Sequence, residues 1–133
     1  MQKNNLNKPI GVFDSGFGGL TILKEEIVRT SQLYSGINAQ QENILVSNGG
    51  KHAILTTFMS ILNPGDEVLI PAPDYPLWTA AVSLSGGNPI HYHCDEQADW
   101  FPDLVDIESK ITANTRALVV INPNNPTGAV YSK

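Results

Sequence analysis

Apolar and polar residues alternate along the chain with two different periods, which predict strands and helices in turn. Short β-prone runs predict strands over residues 10–13, 43–46, 67–70, 88–93 and 117–121. Apolar residues at helical spacing predict helices over residues 20–30, 51–62, 77–84 and 104–111. Glu25 and Arg29 add a favourable i,i+4 pair to the first helix, and the polar residues 31–41 are expected to form a loop or a frayed helix end.

The alternation of strands with helices predicts an α/β fold built from right-handed βαβ units. We expect three layers, α/β/α, around a mostly parallel sheet in which residues 117–121 form a fully buried strand. In such sheets the loops after the carboxyl ends of the strands line the ligand crevice. Four loops of unusual composition have that position, at residues 14–19, 47–50, 72–76 and 122–128. These loops are therefore the main lead to function.

Composition narrows the class of protein. The 133 residues carry a formal charge of −5 and are 41% hydrophobic, which suits one globular domain and argues against a disordered chain. No basic stripe indicates a nucleic-acid partner, and no apolar run is long enough to cross a membrane. The chain starts without an apolar segment of signal-peptide length. A single cysteine, Cys94, cannot form an internal disulfide, so a cytoplasmic location is expected.

The loop at residues 47–51 places two glycines between a strand and a helix. Glycines there allow close backbone approach, and the helix N-terminus offers free N–H groups to an anion such as phosphate. The same glycines would also serve a simple tight turn, so both interpretations stay open. Lys51 is followed by His52, which does not fit a P-loop, and Thr21 stands where a dinucleotide loop needs glycine.

Two further loops carry candidate ligand groups. The proline-rich loop at residues 71–76 could fix Tyr75 as a stacking platform, or Tyr75 could be a core aromatic. For Trp78 the core interpretation is favoured. In residues 122–128 the Asn-Pro pairs often initiate a turn, but an asparagine at the mouth of a strand can also donate to a ligand oxygen.

Several stretches of the sequence, taken together, are specific enough to indicate a protein family. Leu-Lys-Glu-Glu-Ile at 23–27, Glu-Asn-Ile-Leu-Val-Ser-Asn-Gly-Gly-Lys at 42–51, Pro-Gly-Asp-Glu-Val-Leu-Ile-Pro-Ala-Pro-Asp-Tyr-Pro at 64–76 and Ile-Asn-Pro-Asn-Asn-Pro-Thr-Gly at 121–128 stand in a characteristic order. From about residue 20 onward the chain resembles the fold-type I, pyridoxal-phosphate-dependent aminotransferases of class I/II, most closely the alanine/aspartate type. The resemblance implies an incomplete large domain, amino acid and 2-oxo acid substrates, and a homodimer.

The resemblance also implies a role for particular residues. Gly50 and the backbone of Lys51 would hold the phosphate of pyridoxal 5′-phosphate, with Gly49 shaping the turn. Tyr75 would stack on the pyridine ring, and Asn125 would hydrogen-bond the 3-hydroxyl oxygen of the ring.

The implied site includes one backbone feature besides these side chains. Pro73 stands where the family has a cis peptide. No metal is implied at the site.

The beginning of the chain resembles a different family. Lys-Pro-Ile-Gly-Val-Phe-Asp-Ser-Gly-Phe-Gly-Gly-Leu-Thr at 8–21 is similar to the N-terminal signature of cofactor-independent glutamate/aspartate racemases. By that resemblance Asp14 and Ser15 would contact an amino acid substrate. We therefore predict a chimeric junction, natural or engineered, with a racemase-like segment over residues 1–21 and a partial aminotransferase domain over residues 22–133.

Neither family's catalytic residues are complete within this sequence. In aminotransferases the Schiff-base lysine, the acidic partner of the pyridine nitrogen and the arginine for the substrate carboxylate follow the Asn-Pro-Thr-Gly loop. Lys51 is expected to act through its backbone only, so no catalytic residue is assigned. Racemization of this type uses two cysteines, and only Cys94 is present.

A metal site is not expected either. His91 and His93 share one face of a strand while Cys94 points the other way. The acidic residues that follow are expected to form a solvated face: Glu96, Asp99, Asp103 and Asp106.

We thus predict part of an aminotransferase, or a chimera containing it, that is inactive alone and binds the cofactor weakly or not at all. The alternative is a racemase-like protein or a designed, non-catalytic ligand-binding α/β module. An uncovered sheet edge beside residues 117–121 predicts self-association.

Overall fold

The computed structural model describes residues 11–14 and 20–132, with side chains from residue 23 onward except at residue 35. The strands are β1 (Gly11–Asp14), β2 (Ile44–Ser47), β3 (Glu67–Ala72), β4 (Asn88–Asp95), β5 (Phe101–Pro102) and β6 (Thr115–Leu118). The α-helices are α1 (Leu20–Thr30), α2 (Gly50–Ile61), α3 (Leu77–Leu84) and α4 (Leu104–Lys110). Shorter turns are a π-helix over Ser31–Ser35 and 3₁₀-helices over Gln41–Asn43 and Glu96–Ala98.

The chain divides into two compact units, one ending at Ile54 and the other beginning at Leu55. In the first unit β1 and β2 run parallel, with Gly11 opposite Ile44. Its core combines residues from α1 and β2 with one residue of the connecting segment. The buried members are Ile27, Ala39 and Ile44, with Leu23, Val28 and Val46 packed against them.

The second unit contains a four-stranded sheet with the order β5-β4-β3-β6. Strand β3 lies parallel to both β4 and β6, whereas the short strand β5 is antiparallel to β4. The described sheets are therefore mostly parallel, as predicted. Residues on the two central strands are fully enclosed: Val68, Leu69, Ile70, Tyr92 and Cys94.

The alternating pattern located the four α-helices of the described residues, but it assigned one ion pair wrongly. Arg29 does not pair with Glu25: its Nε atom donates to Oε2 of Glu26, 2.9 Å away. Glu25 instead accepts a hydrogen bond from the side chain of Gln41. Gln41, which is distant in sequence, thus binds the Glu25 carboxylate that helical spacing alone would pair with Arg29.

The expectation of a fully buried strand over residues 117–121 is wrong. Strand β6 ends at Leu118, and its residues alternate between partly buried and exposed, so none of the four is fully buried. Val119 is buried, while Leu118 and Val120 are 48% and 59% exposed. These residues are exposed because β6 lies at the end of the strand order. Helix α4 packs on β4 instead.

The acidic segment is also more structured than a solvated face. Asp103 caps α4, and its Oδ1 accepts hydrogen bonds from the backbone N–H groups of Val105 and Asp106. Asp106 accepts from the backbone of His93 and pairs with Lys110, both at 2.7 Å. The contact with Lys110 and, after it, the hydrogen bond from the His93 backbone lower the pKa of Asp106.

Within the described ranges, no helix combines the length and the apolar character needed to cross a membrane.

Candidate functional site

The turn between β2 and α2 requires glycine. Gly49 has φ of 97°, a backbone conformation that residues with a side chain rarely adopt. Its N–H donates to the carbonyl oxygen of Ser47, and the Ser47 hydroxyl donates to the Gly49 carbonyl oxygen. The carbonyl oxygen of Gly49 in turn accepts the N–H of Ala53 at 3.0 Å, so the tight turn leads directly into the helix.

The space beside this turn is open. A Cβ atom added at Gly49 or Gly50 would meet no other heavy atom within 4 Å. The first N–H groups of a helix have no intrahelical acceptor and lie at the positive end of its dipole. Lys51, in the same turn, is exposed. The turn is thus both tight and accessible, and it suits an anionic group such as a phosphate.

The loop after β3 presents Tyr75 at the surface. The Ala72–Pro73 peptide is cis, as the resemblance implied. The carbonyl oxygen of Tyr75 accepts the N–H of Trp78, which ties the loop to the start of α3. Tyr75 is 38% exposed, so it is not a core aromatic and is accessible to a ligand.

Trp78 has the structural role that the sequence favoured. Its ring packs edge-on against Phe58, with ring centroids 6.2 Å apart. Phe58 is itself buried. Trp78 therefore packs helix α3, to which it belongs, against helix α2.

The loop after β6 presents Asn125. The N–H of Asn124 donates to the carbonyl oxygen of Ala129, and the N–H of Gly128 donates to the carbonyl oxygen of Asn124. Asn125 lies within the loop that these bonds close, is exposed, and is joined to Pro126 by a cis peptide. The Asn122–Pro123 peptide is also cis.

Strand order brings two of the predicted site loops to the same edge. Strands β3 and β6 are adjacent and parallel, and the N–H of Val119 donates to the carbonyl oxygen of Leu69 at 2.8 Å. The loops that carry Tyr75 and Asn125 therefore both leave the carboxyl edge of this sheet. Gly49, Gly50 and Lys51 belong to the first unit.

The sequence interpretation overlooked Asn124. Its side chain is only 5% exposed, and its Oδ1 accepts hydrogen bonds from both the backbone and the hydroxyl of Thr127. An asparagine side-chain oxygen often accepts a backbone N–H two or three residues later, and this preference was the available signal.

The racemase-like residues fall largely outside the described part of the chain. Asp14 is the last residue of β1, and its side chain is not described; Ser15 is among residues 15–19, which lie outside the described ranges.

Strand β4 places its histidines and its cysteine on opposite faces. Cys94 is buried while His91 and His93 are exposed, as the alternation predicted. His91 Nε2 lies 2.9 Å from the hydroxyl of Thr79 and 4.0 Å from Asp74. Burial raises the pKa of the Cys94 thiol. Among the described residues, no group of three or more His, Cys, Asp or Glu side chains is arranged to hold a metal ion.

Comparison with known sequences gives a consistent family. Residues 15–133 match the profile of the family described as Aminotransferase class I and II. The chain is 53% identical over 129 residues to glutamate-pyruvate aminotransferase AlaA of Escherichia coli, covering 97% of this chain and 31% of the relative. It is 51% identical over 115 residues to an alanine aminotransferase of Mycobacterium tuberculosis, covering 86% of this chain and 27% of the relative.

Solved structures give the same result. An aminotransferase from Escherichia coli superposes with a TM-score of 0.80 at 55% identity, covering 83% of this chain and 27% of that one. The aspartate aminotransferase of Thermus thermophilus, solved with maleate, superposes with a TM-score of 0.81 at 36% identity, covering 84% and 29%. The predicted α/β fold class, corresponding to part of an aminotransferase domain, is confirmed. The chain spans about a third of the length of these relatives.

Proposed function

Since the chain belongs to the class I and II aminotransferase family, we propose that it carries part of the cofactor site of an enzyme that moves an amino group between an amino acid and a 2-oxo acid. Members of this family depend on pyridoxal 5′-phosphate, act on amino acids and 2-oxo acids, and are typically homodimers. By their names, the two sequence relatives described above are aminotransferases of glutamate and pyruvate and of alanine. We extend that substrate class, small amino acids and their 2-oxo acids, to the enzyme in which this chain functions.

The open glycine turn at the start of α2 carries this proposal. Gly49, Gly50 and the backbone of Lys51 would hold the cofactor phosphate, because the turn leaves free space beside N–H groups at a helix N-terminus. Bound there, the cofactor supplies an electron sink for reactions at the substrate α-carbon.

By the family resemblance, two residues on loops at the carboxyl edge of the four-stranded sheet would bind the ring of the cofactor. Tyr75 would stack on it and Asn125 would bind its 3-hydroxyl oxygen. Both residues are exposed on loops from one sheet edge. We propose the same division of the chain as the sequence suggested, with residues 22–133 forming the aminotransferase part. The racemase-like nature of residues 1–21 stays a prediction. The cytoplasmic location of the protein also stays a prediction.

Equilibrium binding of pyridoxal 5′-phosphate to the full 133-residue chain tests the site. We expect weak but saturable binding that inorganic phosphate competes away. Tyr75→Ala should weaken binding about fivefold or more, because a stacked aromatic ring contributes on the order of 1–3 kcal/mol. Tyr34→Ala is the matched control, since Tyr34 is an exposed tyrosine of the first unit. Equal affinity of Tyr75→Ala and the unchanged chain would contradict the proposed stacking.

Activity of the chain by itself is a separate test. No position of this chain matches the family's Schiff-base lysine. We therefore expect borohydride treatment with the cofactor to label no single lysine stoichiometrically, and alanine with 2-oxoglutarate to yield no pyruvate. One fully labelled lysine found by peptide mass spectrometry would overturn this expectation.

A further inference from the structure

We infer that Asn124 is a positioning residue that holds Asn125 in the orientation needed to bind the ring oxygen of the cofactor. This inference rests on the proposed function and deepens it. It assigns a role to a buried side chain next to the exposed Asn125.

The hydrogen bonds of Asn124 close the loop around Asn125. Oδ1 of Asn124 accepts from the Thr127 hydroxyl at 2.9 Å and from the Thr127 N–H at 3.2 Å. The Thr127 hydroxyl oxygen also accepts the N–H of Ala129. The N–H of Asn124 also donates to Ala129, and the N–H of Gly128 donates to Asn124. All these bonds connect the two ends of a segment in which Asn125 and Pro126 are exposed.

The orientation of the Asn124 amide is determined by its partners. Rotating the amide by half a turn would place its NH₂ group against the N–H of Thr127, a donor facing a donor. Nδ2 is buried without a hydrogen bond, so the oxygen side alone fixes the group.

A second asparagine provides a matched control. Asn122 bonds the backbone of Tyr131 through both of its side-chain atoms, at 3.0 and 3.3 Å, and is exposed. It therefore contributes two hydrogen bonds to the base of the same loop but none to the segment that holds Asn125. If Asn124 served only to stabilise the loop, the two asparagines would be expected to behave alike.

The test compares pyridoxal 5′-phosphate with its 3-deoxy analogue, which lacks the oxygen assigned to Asn125. We expect Asn124→Ala to weaken binding of pyridoxal 5′-phosphate about three- to tenfold, the effect of one hydrogen bond, and to leave binding of the analogue unchanged. Asn125→Ala should show the same selectivity, and the double variant should be no weaker than Asn125→Ala alone. Asn122→Ala should not change the ratio of the two affinities.

Thr127 provides a rescue experiment. Thr127→Val removes the hydroxyl at nearly constant shape and should reproduce the selective loss, whereas Thr127→Ser keeps the hydroxyl and should restore the ratio. Thermal melting of each variant shows whether it is folded.

Each unfavourable outcome has its own meaning. Equal loss of both ligands in Asn124→Ala, or additive losses in the double variant, would overturn the positioning role while leaving the proposed function intact. Failure of the unchanged chain to bind pyridoxal 5′-phosphate would overturn the proposed function and this inference with it.

Discussion

The phenol hydroxyl of Tyr92 donates a 2.8 Å hydrogen bond to the backbone carbonyl oxygen of Val119. Tyr92 lies on β4 and Val119 follows β6, and the two strands flank β3 on opposite sides. Tyr92 is fully buried, so its hydroxyl has no access to water. This bond therefore fastens the start of the loop that carries Asn125 to the centre of the sheet.

Tyr92→Phe should lower the free energy of unfolding by about 1–3 kcal/mol, because it leaves a buried carbonyl group without its donor. Urea denaturation followed by circular dichroism measures the change. Tyr34→Phe is the matched control: Tyr34 is 75% exposed and its variant should stay within about 0.5 kcal/mol of the unchanged chain. Equal stability of the two variants would show that the Tyr92 bond contributes nothing.

The titratable groups at and around Tyr92 predict a loss of stability in alkaline solution. Burial raises the pKa of Tyr92 above its usual 10.0, and Cys94 and Tyr131 raise it further; burial likewise raises the pKa of Cys94 above its usual 9.0. The unfolded chain therefore releases these protons at lower pH than the folded chain. The stabilising contribution is complete below the usual pKa values and is lost as pH rises through the higher folded values.

We expect the free energy of unfolding to fall as pH increases above about 9. The decline should be shallower in Tyr92→Phe, which lacks the titrating phenol with the raised pKa. Denaturation at a series of alkaline pH values measures both slopes. A pH profile of Tyr92→Phe parallel to that of the unchanged chain would contradict the assignment.

Gly87 is required for packing. A Cβ at this position would lie 2.9 Å from Cδ1 of Leu62 and 3.2 Å from both Asp66 O and Cγ1 of Val82. Gly87→Ala should therefore destabilise the chain by about 1–3 kcal/mol. Gly50→Ala is the control for stability, since its Cβ would meet nothing within 4 Å. The stability of Gly50→Ala should be unchanged or up to about 1 kcal/mol higher. An equal loss of stability in Gly87→Ala and Gly50→Ala, measured by urea denaturation, would refute the packing argument.

The exposed face beside β6 should promote self-association. Leu118 and Val120 are apolar and exposed next to a strand at the end of the described sheet order. The apparent mass of the chain in sedimentation velocity should therefore increase with concentration, and Leu118→Lys combined with Val120→Lys should reduce that increase. Leu104→Lys, which changes an exposed leucine of α4, should have little effect. A chain that is monomeric at every concentration would contradict this prediction.

Local features of the molecule were predictable because they depend on neighbouring residues. The bounds of α3 coincide with the predicted residues 77–84, and the glycine turn at Gly49 lies between a strand and a helix as expected. The alternation of Tyr92, His93 and Cys94 between two faces follows directly from strand geometry. In each case the controlling interactions lie within a few residues of the chain.

The resemblance of four motifs to a known family added the identity of the cofactor, which local patterns alone left open. The open space beside Gly49 and Gly50 agrees with that identity. The roles of Tyr75 and Asn125 stay predictions, which measurements of cofactor binding would test.

The sequence by itself determined the alternation of strands and helices, the glycine turn and the positions of the loops, since backbone preferences and side-chain periodicity are local. Only the tertiary structure decided that β6 lies at the end of the sheet order beside β3, that Arg29 pairs with Glu26, and that Asn124 is buried while Asn125 is exposed. These outcomes depend on which distant residues meet and compete for the same partners. Strand order and burial are properties of the packed chain as a whole.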